Sequence, residues 1–288
     1  RLTVWKEKLL RHAGKEILLK SVVMALPTYV MSCCLLPQSL CREICSEMAR
    51  FWWGQKEAEQ RIHWLKWGKL TEVKADGGLG FRELSEFNLA LLAKQLWRLL
   101  TRPNLLVSRV MKARYFKGRS IWDTKAASGD SWCWKSLLSA KDLLEEGTRK
   151  RIGDGKSINI WLARWRPCEE DGRIKARRRE GVKVQKVCER IRDGKWDMEL
   201  VKQVFEEEEG REILRIPLGI QPLKDRIYWN FFATGQYTVK SGYRLAKKRK
   251  RRRLQSTANA SSSCTKMGTH PSWTFLWGLS MKQKLKHF

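Results

Sequence analysis

The chain has 288 residues, 42% of them hydrophobic, which is enough to bury a sizeable core and argues against global disorder. Its 59 Lys and Arg against 30 Asp and Glu leave a net charge of +29 and an isoelectric point near 10.1. A surplus of this size repels itself in the compact state and calls for a polyanion. RNA or DNA fits best, because the phosphate backbone releases counterions to a dispersed cationic surface without requiring a particular fold. A ribosome- or chromatin-coating surface has the same signature, and nothing points to a small-molecule substrate. Eight cysteines without a regular pairing pattern, and no secretory signal, predict a reduced intracellular compartment.

Leu2, Trp5, Leu9 and Leu10, then Ile17, Leu18, Val22, Ala25 and Leu26, recur at helical spacing around Gly14 and predict two helices or one bent helix, closed by Pro27. The stretch from Ile17 to Leu36 is apolar except for Lys20, but Pro27 interrupts it. A buried helix pair is expected there and no membrane span. A further helix follows Pro37 to about Trp53, with Leu40, Ile44, Cys45, Met48 and Phe51 on one side and Gly54 ending it. Asp76 to Phe81, rich in glycine, reads as a tight reversal. Asn88 then opens the clearest helix, with Leu89, Leu92, Ala93, Leu96, Leu99 and Leu100 as its stripe. Pro103 and Asn104 stop it and lead into another helix to about Tyr115.

Beyond Gly118 the pattern changes to short aromatic segments. Ser157 to Trp161 alternates as a short strand, residues 167 to 182 form a charged and mobile stretch, and Glu206 to Glu209 read as a solvated helix face. Arg226 to Trp229 and Gln236 to Lys240 look like two strands around Thr234-Gly235, with Ser241 capping a following helix. Lys247, Lys248, Arg249, Lys250, Arg251, Arg252 and Arg253 form an unbroken basic run before a Ser-, Thr- and Asn-rich linker, and another apolar element begins at Trp273. The expected architecture is a mainly α, thumb-like N-terminal region over 1–116, a mixed α+β, Trp-rich connector over 117–225, and a truncated C-terminal element over 226–288. The 15 Trp, many beside basic residues, either stack unpaired bases or fill the core; core filling is the better reading for any one of them.

No complete active site emerges. Gly153-Asp154-Gly155-Lys156-Ser157 ends like a phosphate loop, but the earlier glycine such a loop needs is replaced by Lys150. Cys41 and Cys45, near Cys33, Cys34 and His63, offer one loose pair rather than a zinc set, so buried free thiols are the better reading; Cys264, His270 and His287 are inconclusive. Four His carry no nucleophile motif, and the Asp residues are not clustered for two-metal chemistry.

The order of motifs says more than any one of them. Leu2-Thr3-Val4-Trp5-Lys6, Leu26-Pro27-Thr28-Tyr29-Val30, Phe51-Trp52-Trp53-Gly54, Gly77-Gly78-Leu79-Gly80-Phe81, Asn88 to Gln95, Lys112-Ala113-Arg114-Tyr115-Phe116, Gly153 to Ser157 and Trp161 to Trp165 follow one another along the chain. This series closely resembles plant non-LTR (LINE-type) retrotransposon reverse transcriptases after the polymerase palm. Tyr237-Thr238-Val239-Lys240-Ser241-Gly242-Tyr243 resembles the start of their zinc-binding reverse transcriptase domain.

The resemblance implies an intracellular, nuclear transposable-element protein, an RNA-directed DNA polymerase with a divalent metal in its intact form. The polymerase's Tyr-x-Asp-Asp tetrapeptide does not occur here, and Ala163 replaces an expected Asp. A non-catalytic fragment is therefore expected, with no cofactor, no catalytic residue and no metal ligand of its own; the family's Cys and His zinc ligands would lie beyond Phe288. As in a thumb, Lys6, Lys8, Arg11, Lys15 and Lys20 would contact the nucleic-acid backbone, or else form an ordinary solvated helix face. The run from Lys247 to Arg253 is a nucleic-acid or nuclear-import patch or a basic linker. The alternatives are a domesticated stand-alone RNA- or DNA-binding protein and a decayed reading frame without function.

Overall fold

The computed structural model describes residues 10–54, 62–166, 171–174, 185–219 and 223–259. In chain order the helices are α1 His12–Leu18, α2 Thr28–Cys33, α3 Gln38–Trp53, α4 Trp67–Leu70, α5 Leu84–Thr101, α6 Leu106–Tyr115, α7 Trp132–Ser139 and α8 Lys141–Gly147. Strand β1 Thr148–Arg151 follows, then β2 Ile191–Arg192, β3 Lys195–Trp196, α9 Met198–Val204, α10 Glu207–Leu214, β4 Arg226–Trp229 and α11 Val239–Asn259. The N-terminal region is thus mainly α and the later part mixed α+β, as the sequence predicts. The chain forms two units that interleave in sequence, one from segments 1–96, 125–140 and 243–288, the other from 97–124 and 141–242.

The first unit is a helical core around Leu19, Met31, Met48, Phe51, Phe81 and Leu92, all nearly or fully buried. A π-helical turn, Leu19–Val23, follows α1, and Pro27, which has no N–H, separates it from α2. The expected buried helix pair is only half buried: Leu19, Met24 and Met31 face inward, while Ile17, Leu26, Tyr29 and Val30 stand exposed. Among the described residues no helix is long and apolar enough to cross a membrane.

Asn88 does not start its helix, which begins four residues earlier at Leu84. Its fully buried amide serves a neighbouring element: Oδ1 accepts from the Leu36 N–H at 2.7 Å, and Nδ2 donates to the Met31 and Cys34 carbonyls at 2.7 and 3.0 Å. Carbonyls at the end of α2 lack intrahelical donors, and Asn88 supplies them. Helix α3 ends at Gly54, whose φ of 67° is the left-handed conformation glycine adopts without steric cost.

The second unit contains two small antiparallel sheets. In one, β1 pairs with β4, Thr148 opposite Trp229 and Arg151 opposite Arg226. In the other, β2 and β3 form a hairpin whose turn, Asp193-Gly194, has both φ angles positive, 49° and 73°, as a type I′ turn requires. Ile152, Ile158, Ile160, Trp165, Val201 and Phe205 belong to its core. A separate aromatic cluster joins Trp97, Trp229 and Tyr237, with the Trp229 and Tyr237 rings 4.6 Å apart.

Two strand expectations are corrected. Ser157 to Trp161 makes only an isolated bridge, Asn159 to Lys186, because Asn159 Oδ1 accepts from the Trp161 and Leu162 amides and closes a turn. Gln236 to Lys240 is no strand: Thr238 Oγ1 accepts from the Ser241 N–H at 3.2 Å and starts α11. The residue that caps is thus Thr238, and Ser241 lies inside the helix, where its hydroxyl accepts from Trp229 Nε1 at 2.8 Å. The charged stretch 167–182 lies mostly outside the described residues.

Candidate nucleic-acid interface

Polar side chains in this fold divide into those that close the structure and those that face solvent. The Gly153 to Ser157 loop belongs to the first kind. The amides of Gly153, Gly155 and Ser157 donate to the Asp225 carboxylate at 2.8 to 2.9 Å, and Ser157 Oγ donates to it at 2.7 Å. Backbone N–H groups converging this way form an anion-binding nest, and here the anion is the chain's own carboxylate. Burial alone would raise the Asp225 pKa, but these hydrogen bonds outweigh it and leave the group below its ordinary value of 3.8. Asp225 occupies the place a phosphate would take, which agrees with the rejection of a phosphate loop on spacing.

The five N-terminal cations expected to touch a backbone do not form one outward row. Lys6 and Lys8 lie outside the described residues, and Arg11 is exposed. Lys15 is buried; its ammonium donates to the Phe51 carbonyl at 3.0 Å and lies 5.5 Å from the Phe51 ring centroid. A cation at the C-terminus of α3 meets the last carbonyls of the helix and the negative end of its dipole. Lys20 donates to Glu16 and to the Leu79 carbonyl, both at 2.6 Å. Lys74 joins the same buried Glu16 at 3.3 Å.

The basic run is helix, not linker, and it presents several environments. Lys247 Nζ donates to the Thr71 carbonyl at 3.0 Å and stands 3.5 Å from Glu72. Lys250 pairs with Glu83 and, at 3.3 Å, with Glu86; Arg251 pairs with Glu72. Positions 247, 250 and 251 share a helix face by the i, i+3, i+4 rule, and that face meets carboxylates of the first unit. Burial would lower the Lys250 pKa, but Glu83 and Glu86 outweigh it and hold the ammonium above its ordinary value. Lys248, Arg252 and Arg253 are exposed, and Arg249 is half-buried.

The acidic run in the second unit is also partly internal. Glu209, expected to be solvated, is buried and accepts from the equally buried Arg166 at 3.0 Å, while Arg166 also pairs with Glu212. A cleft of about 420 Å³ is lined by Arg149, Lys150, Arg164 and Arg173 together with Glu145 and Trp122. Its cations are engaged: Arg164 meets Asp171 at 2.9 Å, Arg173 meets Glu145 at 3.1 Å, and Lys150 Nζ donates to the Ser157 carbonyl at 2.9 Å.

The tryptophans divide as core filling predicts. Trp52, Trp97, Trp134, Trp165 and Trp229 are buried, and Trp64 and Trp132 are the exposed ones among the described residues. Burial, reinforced by Cys41, pushes the Cys45 thiol up to about 11, and Cys41 and Cys133 are raised for the same leading reason. Such thiols are poor nucleophiles and poor metal ligands at neutral pH. Among the described residues no group of three or more His, Cys, Asp and Glu is placed to hold a metal.

Sequence reasoning missed one cationic segment because it contains no run. No Asp or Glu occurs between Glu86 and Asp123, while Arg102, Arg109, Lys112, Arg114, Lys117 and Arg119 do. All six are exposed. The absence of acid over that span was the signal available in the sequence.

Fold and surface together define a basic, mainly helical protein whose outward chemistry is cationic. No protein-family profile matches the chain, and no solved structure matches it. It is 43% identical over 143 residues to the uncharacterized mitochondrial protein AtMg00310 of Arabidopsis thaliana, covering 49% of this chain and 93% of that protein. The chain belongs to the family of that protein. It is also 30% identical over 254 residues to an Arabidopsis thaliana protein named "Putative ribonuclease H protein At1g65750", covering 85% of this chain. The chain spans only 40% of that second relative's length.

Proposed function

We propose that this chain is a retroelement-derived, non-catalytic portion of a LINE-type reverse transcriptase that holds RNA or DNA through its phosphate backbone. The observation that carries this reading is a net charge of +29 on a chain with a packed core. The co-linear motif series and the match, over 85% of the chain, to a relative named for ribonuclease H support it. In this reading polymerase chemistry belongs to other parts of the intact element, and the protein acts in the nucleus.

The test is equilibrium binding of the full chain to fluorescent duplex and single-stranded probes across a salt series. Log affinity should fall linearly with log salt, with a slope set by the number of phosphates neutralised. Absent binding, or affinity indifferent to salt, rejects the reading. Imaging a fluorescent fusion checks the compartment, and exclusive mitochondrial signal would remove the nuclear part.

A second reading has an observation of its own. A relative matched over 93% of its length by half of this chain is itself a separate protein, which favours the reading as a domesticated binding module. Both readings require the same salt-dependent binding. They differ in whether a polymerase reading frame adjoins this one in the genome.

A further inference from the structure

Helix α6 and the turn after it carry a group of exposed cations without an ion-pair partner among the described residues. Ser108 is buried and Met111 and Tyr115 are half-buried, so these three face the fold. The rest of α6 faces solvent. Arg109, Lys112 and Arg114 project from it; Phe116 is buried as an anchor, and Gly118, at a φ of 73°, reverses the chain so that Lys117 and Arg119 are also exposed. Arg102 extends the arc at the other end. None of the six makes an ion pair with a described residue, and the Arg114 guanidinium lies 5.6 Å over the Tyr115 ring. Six like charges held together on one unit without counter-charge raise the local potential and favour an anion of matching extent.

Resting on the nucleic-acid reading above, we infer that the arc from Arg102 to Arg119 is the principal phosphodiester-binding surface, used without regard to base sequence. Leu106, Val110 and Ala113 follow one another at i, i+4, i+7 between the cations, with Leu106 75% and Val110 54% exposed. An apolar stripe flanked by cations also describes a helix lying on an anionic membrane. The nucleic-acid assignment is favoured because the stripe holds only small aliphatic residues and no Trp or Phe. The cations also continue past both ends of the ten-residue helix as an arc. Sugar faces between two rows of phosphates meet such a stripe equally well, and the surface offers no Asn or Gln pair for reading bases.

The test compares two charge-matched triple variants of the full chain, Arg109→Ala/Lys112→Ala/Lys117→Ala and Lys240→Ala/Arg244→Ala/Lys248→Ala, the second removing exposed cations of α11. The probes are a duplex of arbitrary sequence, a single strand, and phosphatidylglycerol vesicles. The arc variant should lose on the order of 10- to 100-fold in duplex affinity at low salt and shed roughly 0.9 of salt slope per cation engaged, and the α11 variant should change little. Charge-preserving Arg109→Lys/Lys112→Arg/Lys117→Arg should restore binding, and circular dichroism and melting check that each variant is folded. If wild type binds but the arc variant keeps its slope, or the α11 variant loses as much, the arc is overturned while the nucleic-acid reading stands. Wild type that binds no nucleic acid overturns both. Arc-dependent binding to vesicles alone makes this a membrane surface and rejects the inference.

Discussion

Helix α11 carries seven consecutive cations, of which Lys247, Lys250 and Arg251 meet carboxylates of their own unit. The segment from Arg102 to Arg119 carries cations at wider spacing, and those named above meet none among the described residues. The denser run is therefore balanced within its own unit at Lys247, Lys250 and Arg251. What separates them is not composition but what the fold places opposite: Glu72, Glu83 and Glu86 against one, and no paired carboxylate among the described residues against the other. Positive charge serves packing where counter-charge is supplied, and where it is withheld it is left outward, as the proposed recognition requires.

That division between inward and outward polar groups can be broken at its inward extreme. Asn88 is its most complete case, with three hydrogen bonds from a side chain fully shielded from water. Asn88→Leu keeps the volume and leaves the Leu36 amide and the Met31 and Cys34 carbonyls without these partners. A loss of about 3 kcal/mol or more is expected by urea unfolding, since each buried group left unsatisfied costs about 1–3 kcal/mol. A loss under about 1 kcal/mol would mean that water replaces the amide.

Next in size is packing in the second unit. A Cβ at Gly147 would stand 2.2 Å from the Trp229 indole, which is held by Ser241 and the Tyr237 ring. Gly147→Ala should cost about 1–3 kcal/mol by forcing this cluster apart. Near-UV dichroism, which reports the packed aromatics, should fall with it.

The Asp225 nest gives a smaller effect with a pH signature. Its folded pKa lies below the ordinary value of 3.8, so across the interval between them the unfolded chain binds more protons. The stabilisation is complete above that ordinary value and is lost as pH falls through the lowered one. Asp225→Asn should remove about 1–2 kcal/mol at neutral pH, where the charge-assisted bonds act, and flatten the acid limb of the stability curve. An acid limb unchanged in the variant would place its origin elsewhere.

The helices were legible because their signals are local. Pro37 and Gly54 bracket α3, and leucine periodicity announces α5. Asn88 shows where local reading ends: Asn before an apolar run looks like a cap, yet its partners lie more than fifty residues away. Strand pairing failed for the same reason. Arg226 to Trp229 had a plausible neighbour at Gln236, but its partner is Thr148 to Arg151, which carries no strand pattern to announce it. In the candidate interface, a run of seven cations stood out and a stretch lacking acid did not. Lys15 looked like a surface cation and closes α3 instead.

The weakest perturbation of stability bears most directly on the comparison itself. Glu72→Gln/Glu83→Gln removes the carboxylates paired with Arg251 and Lys250 while keeping side-chain size. These groups are partly exposed, the Arg251 side chain 54% and the Lys250 side chain 39%, so the loss should be at most about 1 kcal/mol. Arg251, freed from Glu72, and Lys250, left with Glu86 alone, add to the outward charge of α11, and each that reaches a phosphate adds roughly 0.9 to the salt slope for duplex DNA. Tighter binding with a steeper slope would show that pairing alone keeps α11 from acting as the arc does. Unchanged binding in a folded variant would show that its direction matters as well, since a cation freed from its carboxylate but facing its own unit still has no phosphate within reach.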